Sequence, residues 1–226
     1  QEAARQIGKG SEQYAMTVKG VGINEGGLRS HKAWSLGIMT STRGGGHLGG
    51  APQTEQSHMS AQVGRRLFKN PEAGIPESYL GKGSLVAWTE GIKAIIDSLG
   101  LCYLIYAWGD LSIGHIEELA EMLYLTTGNQ ISGEELHQIG LRIHTIERYL
   151  SYLLGGYQRE DDTFPDRFFD TPIASGPHKG AYLDRASVEK ELDEYYAALG
   201  WDVASGLPTK EQLAQMGLCF PELELH

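Results

Sequence analysis

The chain has 226 residues, 41% apolar and 21% charged, enough to bury a sizeable core in one large domain or two small ones. Acidic residues outnumber basic ones 29 to 19, giving a formal charge of −10. That balance excludes a basic footprint for nucleic acid and disfavours an anionic membrane surface.

No apolar run approaches the roughly 18–20 residues of a membrane span, and "LCYLIYAW" from Leu101 to Trp108 suits a buried helix segment better. The N-terminal "QEAARQIGKGSEQYAM" has no apolar leader core. Two cysteines, Cys102 and Cys219, are too few for a disulfide framework and suit a reducing cytoplasm. Gln1 in place of methionine is expected of a processed chain, a subunit or an excised domain.

Residues 1–54 are glycine-rich, with short β-prone pieces such as "YAMTVKGVGI" and no sustained period. From about Gln56 the pattern turns helical. Ile92, Ile95, Ile96 and Leu99 keep helical spacing, and Gly100 sits where a helix C′ glycine would. "IEELAEMLYLTTG" sets Ile116, Leu119, Leu123 and Tyr124 on one stripe that Gly128 ends. The longest helix opens with a Ser132/Glu135 capping box and carries Leu136, Ile139, Ile143, Ile146, Leu150 and Leu153 as its apolar face. Gly155 and Gly156 stop it. After a loop with three prolines come two shorter helices, Val188 to Leu199 and one behind Pro208 with a Thr209/Gln212 box. The fold class is mainly α: an irregular helical domain with a glycine-rich N-terminal segment. Residues 1–54 carry the "RGGGH" loop, and 55–226 form the helical body of the same domain.

Several patterns hint at chemistry. Gly44, Gly46 and Gly49 spell G-x-G-x-x-G, but a dinucleotide turn needs a strand before it and a helix directly after it. Pro52 follows instead, with no βαβ alternation. Glu55/His58 and Glu134/His137 are Glu-x-x-His pairs, the spacing of di-iron bundles, with Glu90 and Glu118 available as further carboxylates. His137 and His144 are two turns apart, too far for one metal, and read as solvated or satisfied helix-surface histidines. "YQREDDTFPDRFFD" reads as a solvated, ion-paired loop. Asp97 and Cys102 in "DSLGLC" are either a solvent-facing Asp and a buried Cys or, with Gly100 admitting close approach, a site for a soft metal. An iron–sulfur cluster normally takes four thiolates, so Cys102 as a ligand would need partners outside this chain.

Taken together, "VKG" at 18–20, "RGGGHL" at 43–48, "DSLGLC" at 97–102, "TTGNQISGEEL" at 126–136, "GLRIHTIER" at 140–148, "REDDTFPDRF" at 159–168, "EYYAALGWD" at 194–202 and "GLPTKEQLAQMGL" at 206–218 resemble the C-terminal part of the aldehyde:ferredoxin oxidoreductase family. The specific motif is D-x-x-G-L-C. The resemblance implies a tungsten (or molybdenum) atom between two pterins, a [4Fe–4S] cluster nearby, and oxidation of aldehydes to carboxylic acids with electrons passed to ferredoxin.

By position it implies that Asp97, Gly100 and Leu101 bind a pterin and that Cys102 is the fourth cluster ligand. His47 would lie at the metal site, accepting or relaying protons. Imidazole changes charge near neutral pH, which suits that work. The family's N-terminal β-rich domain, its other D-x-x-G-L segment and its C-x-x-C-x-x-x-C run are missing from this sequence. Gly22 stands where the family's "KG" motif carries a Glu, and Gly49 where a larger, often basic residue is usual. The chain alone is therefore expected to be inactive, to pair with the missing domains or subunit, and to self-associate through the uncovered face. The alternative is a non-catalytic helical interaction domain that keeps the scaffold.

Overall fold

The computed structural model describes residues 2–23, 28–56, 59–103 and 116–218. A short helix α1 (Glu2–Ile7) leads to a two-stranded antiparallel hairpin, β1 (Thr17–Val18) and β2 (Val21–Gly22), with Val18 opposite Val21. Helices α2 (Lys32–Thr40), α3 (Ala61–Phe68) and α4 (Lys82–Ser98) follow. Next come α5 (Ile116–Thr127) and α6 (Gly133–Gly155), then α7 (Arg167–Asp170), α8 (Arg185–Leu199) and α9 (Lys210–Gln215). The fold is thus mainly α.

Local signals place the ends. Ser132 Oγ accepts from Glu135 N–H while the Glu135 carboxylate accepts from Ser132 N–H, the capping box that starts α6. Gly156 ends it at φ +74°, and Gly128 takes φ +77° just beyond α5. Asp184 caps α8, three residues earlier than the apolar periodicity indicates. Thr209 caps α9, but Gln212 turns away from the cap and donates to Leu199 O, tying α9 to the end of α8.

Helix α2 is absent from the sequence reading of residues 1–54. All nine of its residues are buried, so it has no polar face and no amphipathic period to detect. Its free N-terminal N–H groups are met from outside the helix: Glu55 accepts from Ala33 N–H and Trp34 N–H, at 3.0 and 2.8 Å. The same carboxylate pairs with Lys82 Nζ at 2.8 Å, and both side chains are fully buried. Glu55 is thereby committed to structure.

Helix α4 is the axle of the fold, packing on α2, α6 and α8. Its first half joins the larger hydrophobic cluster through Leu85 and Val86, with Leu36, Ile38, Tyr195, Tyr196 and Trp201. Its second half joins a smaller one through Ile92, Ile95 and Ile96, with Tyr103, Leu119 and Leu136. Glycines set the approach distances. A Cβ on Gly140 of α6 would stand 2.1 Å from Gly91 O of α4, and one on Gly83 of α4 2.4 Å from Tyr195 N of α8.

The packing of α6 departs in part from the sequence expectation. Its buried face carries His137, Gly140, His144, Thr145 and Arg148 beside Leu136 and Tyr149. Of the expected apolar stripe, Leu136 is buried and Ile143 and Ile146 are half-buried, whereas Ile139, Leu150 and Leu153 turn outward at 44%, 40% and 39% exposed, beside Leu154 at 86%. Polar side chains win the inside because buried partners on α4, on α8 and in the loop after α6 await them. His137 and His144 are therefore buried rather than solvated.

Candidate functional site

The glycine-dense stretch from Ser41 to Ala51 joins α2 to the short turn that carries Glu55. Most of its glycines serve the chain's own packing. A Cβ on Gly44 would lie 2.8 Å from Val18 O, and one on Gly45 2.7 Å from Val21 O, so the loop presses on the hairpin. Gly49 packs on Ser41 Oγ, and Gly50 lies against Glu90 of α4. Gly44 and Gly50 also hold φ of +78° and +131°, which side-chain-bearing residues rarely adopt. Gly46 alone of the five has open space around it. These close approaches let the loop fold tightly on its own scaffold.

That folding presents His47. Its imidazole stacks on the buried Trp34 of α2, with ring centroids 5.1 Å apart and planes inclined by 21°. The ring is half-buried, and the adjacent Leu48 is 49% exposed. A large aromatic face behind an imidazole fixes the plane of its ring.

The "DSLGLC" segment ends α4 in a Schellman turn. Gly100 N–H donates to Asp97 O at 3.1 Å and Leu101 N–H to Ile96 O at 3.0 Å, with Gly100 at φ +69°. Among the described residues, chain neighbours aside, nothing lies within 4 Å of a Cβ built on Gly100, so its glycine is needed for conformation and leaves an open approach to the backbone. Alanine there should cost about 1–2 kcal/mol of strain, read as a lowered denaturation midpoint with an unchanged circular dichroism spectrum. Asp97 is half-exposed and pairs with Lys93, whose ammonium also lies 5.3 Å from the Tyr103 ring centroid. Cys102 is a free, exposed thiol. The sequence alternative of a buried structural cysteine is therefore ruled out.

One bond joins the two motifs. Tyr103, buried and next to Cys102, donates its hydroxyl to Ala51 O at the end of the glycine loop, at 3.2 Å. Burial pushes this phenol well above its ordinary range, with Glu90 and Asp97 adding to the rise, so it stays a donor. The predicted residues Asp97, Gly100, Leu101 and Cys102 are thus contiguous on one turn, and the Tyr103 hydroxyl ties that turn to the loop bearing His47.

Two buried polar clusters behind the loop escaped the sequence reading. In the first, Asp162 is fully buried between Lys19 Nζ at 2.5 Å and the Arg148 guanidinium at 2.8 and 3.0 Å, with the Tyr196 hydroxyl donating at 2.5 Å. Burial disfavours its charge, but the two cations outweigh that and hold its carboxyl below the usual range. Lys19 also donates to Ser41 O at 3.1 Å, at the start of the glycine loop. The charged stretch after α6 is therefore a buried anchor at Asp162, while Arg159 and Arg185 do make the expected outer ion pairs. In the second cluster, Glu90, His144 and Tyr195 meet beneath Gly50. The row of His137, His144 and Arg148, with the small Gly140 between them on α6, was the sequence signal for both, eclipsed by the apolar residues beside it.

Among the described residues the members of the Glu-x-x-His pairs do not converge. Glu55 caps α2, His58 lies outside the described residues, Glu134 is exposed, and His137 turns inward, 3.2 Å from Trp88 O. Among the described residues no group of three or more His, Cys, Asp or Glu side chains could hold a metal ion. A lone exposed thiol fits an iron–sulfur cluster only as one ligand of a set completed elsewhere. An exposed carboxylate beside an open glycine backbone fits a hydrogen-bonding edge for a pterin. No helix among the described residues is long and apolar enough to cross a membrane.

Comparison with known proteins places the whole chain. The family model described as aldehyde ferredoxin oxidoreductase, domains 2 and 3, matches residues 1–218. A tungsten-containing aldehyde ferredoxin oxidoreductase of Pyrococcus furiosus is 27% identical over 92% of this chain and 32% of its own length. The aliphatic sulfonate oxidoreductase, WOR-like subunit, of the same organism is 29% identical over 91% of this chain and 28% of its own length. The chain thus spans about a third of the curated relatives it matches. Among solved structures, the active-site complex BamBC of benzoyl coenzyme A reductase with 1,5-dienoyl-CoA superposes with a TM-score of 0.62. That match covers 96% of this chain and 35% of the other, at 20% identity, and shows a shared fold. The match across residues 1–218 establishes that the chain belongs to the aldehyde ferredoxin oxidoreductase family.

Proposed function

We propose that this chain is the helical, C-terminal part of a tungsten (or molybdenum) pterin oxidoreductase that oxidises aldehydes to carboxylic acids and sends the electrons through a [4Fe–4S] cluster to ferredoxin. The carrying observation is the exposed Cys102 at the open Schellman end of α4, tethered through Tyr103 to the loop that presents His47. The Asp97 carboxylate and the Gly100 and Leu101 backbone would bind a pterin edge, and the Cys102 thiolate would complete the cluster's ligand set. When bound, these groups supply the two-electron redox chemistry; the protein supplies position and electrostatics. His47, its plane fixed by Trp34, would accept or relay a proton as a water-derived oxygen joins the carbonyl carbon, sharing that task with other bases. The remaining domains or subunit are required, so the chain alone turns over no aldehyde.

Anaerobic isolation from the native source with metal and pterin analysis tests this. Tungsten or molybdenum with about four irons, together with a larger polypeptide in cis or in trans, is the expected result. Cys102→Ser in the complete enzyme should abolish cluster assembly, seen by electron paramagnetic resonance. Exposed and outside the core, it should leave helix content and melting unchanged. A cluster assembled in full despite that substitution would refute the ligand assignment.

The outward apolar stripe of α6 favours a second reading, a helical interaction domain without catalysis. An enzyme part should co-purify with a cysteine-rich polypeptide that brings the other thiolates, whereas an interaction domain or a self-associating chain needs none.

A further inference from the structure

Glu90 sits under the loop that carries His47 and touches both of its ends. It is 1% exposed. Its Oε1 accepts from Thr40 Oγ1, the last residue of α2, at 3.1 Å. At the other end, a Cβ on Gly50 would come within 2.6 Å of Glu90 Cγ and 2.8 Å of its Cα, so the Gly50 backbone rests on this side chain. Its Oε2 accepts from the Tyr195 hydroxyl of α8 at 2.6 Å and lies 3.1 Å from His144 Nε2 of α6. Tyr195 and His144 are themselves 2.9 Å apart. Carboxylate, phenol and imidazole close a buried triangle between α4, α8 and α6.

The groups around His144 decide its charge. From α4 it meets Glu90; from α8, Tyr195, whose phenol burial keeps neutral; from its own helix, Glu147, with Nδ1 3.9 Å from Oε2. The Trp201 ring stacks on it at 5.6 Å. Arg148, next on α6, is spent on Asp162 with Lys19, and Arg43 of the loop faces Glu147. Burial opposes a charge on His144, but Glu90 and Glu147 together overcome it and push the imidazole up to about 9. Glu147 in turn accepts from Thr42 Oγ1 at 3.3 Å, a second strap on the loop.

We propose that Glu90, paired with protonated His144, is a positioning residue: through Thr40 and Gly50 it fixes both ends of the loop carrying His47, and loss of the His144 proton loosens that loop. Its relevance to catalysis rests on the site role proposed for His47; the clamp itself is a property of this chain.

The test is amide hydrogen exchange of residues 41–51 in the full chain between pH 7 and 10.5, corrected for intrinsic exchange, with the His144 ring titration followed by NMR. Protection should hold to about pH 8 and fall through about 9 in step with His144. Glu90→Gln keeps the hydrogen-bonding shape but not the charge. It should move both midpoints down by at least about one pH unit, which is about tenfold in the loop-opening equilibrium. Loop protection whose midpoint ignores His144, or ignores Glu90→Gln, overturns the proposal, as does a loss spread evenly over α4 and α6. Should Glu90→Gln fail to fold, Glu147→Gln at the half-exposed strap decides by the same criterion. In the complete enzyme, shifted loop exchange with an unmoved pH–rate profile would refute the role of His47 while leaving the clamp intact.

Discussion

Asp162→Asn should lower stability by about 3–5 kcal/mol, enough to unfold a marginal domain at physiological temperature. The substitution keeps size but turns one of two accepting oxygens into an NH2 donor, and it leaves Lys19 and Arg148, each 1% exposed at the side chain, facing one another without a counter-charge. Burying an unpaired charge is far more costly than losing a pair's net attraction, because desolvation has already been suffered by all three groups. Replacing all three by apolar residues of similar size should therefore cost much less than Asp162→Asn alone. Urea denaturation of both variants at pH 7 makes the comparison; a loss under about 1 kcal/mol for Asp162→Asn would contradict a buried triad.

The pH dependence has a defined sign. The Asp162 carboxyl is held below its ordinary 3.8, so its contribution is present above that value and disappears as pH falls through the lower folded value. The His144 imidazole runs the other way. Its folded value of about 9 lies above the ordinary 6.5, so its contribution is complete below 6.5 and is lost as pH rises through about 9. At about 1.4 kcal/mol per pH unit, that second loss is of order 3 kcal/mol, and the stability plateau should lie between the two limbs.

What the sequence could and could not reveal follows from the range of each interaction. The end of α4 was readable because Gly100, Asp97 and Ile96 form a closed local motif, as were Ser132 with Glu135 and the stop at Gly156. Helix α2 was not, since burial on every side erases periodicity and its cap, Glu55, comes from 22 and 21 residues away. Asp162 looked like one more charge in a polar loop; its partner Lys19 lies 143 residues earlier, and only the folded chain brings them together. On α6 two stripes competed, and the apolar one was chosen because hydrophobic periodicity is ordinarily the inward signal. The glycine loop shows the same limit. Composition revealed a glycine-rich segment, but not that Val18, Val21, Ser41 and Glu90 crowd it. The candidate site itself was legible as motifs, while the tether through Tyr103 and the clamp through Glu90 required tertiary contacts.

The contact between α4 and α6 carries the other large expected effect. Gly140→Ala should destabilise by about 1–3 kcal/mol or more, even though alanine is the better helix former by about 1 kcal/mol. The added methyl carbon would sit 2.1 Å from Gly91 O and 2.9 Å from the Gly91 carbonyl carbon, both backbone atoms of α4 that cannot swing aside. The two helices must separate, and three contacts that depend on their closeness weaken together: His137 with Trp88 O, His144 with Glu90, and the packing of Leu136 beside Ile92 and Ile95. Gly46→Ala is the matched control. Its Cβ meets nothing within 4 Å and its φ of −121° suits any residue, so it should leave the denaturation midpoint unchanged. Because Gly140 lies far along the chain from the glycine loop yet holds Glu90 and His144 in register, Gly140→Ala should also lower amide protection in residues 41–51. Loss of protection confined to α6 would show instead that the loop is held by α2 and the hairpin alone.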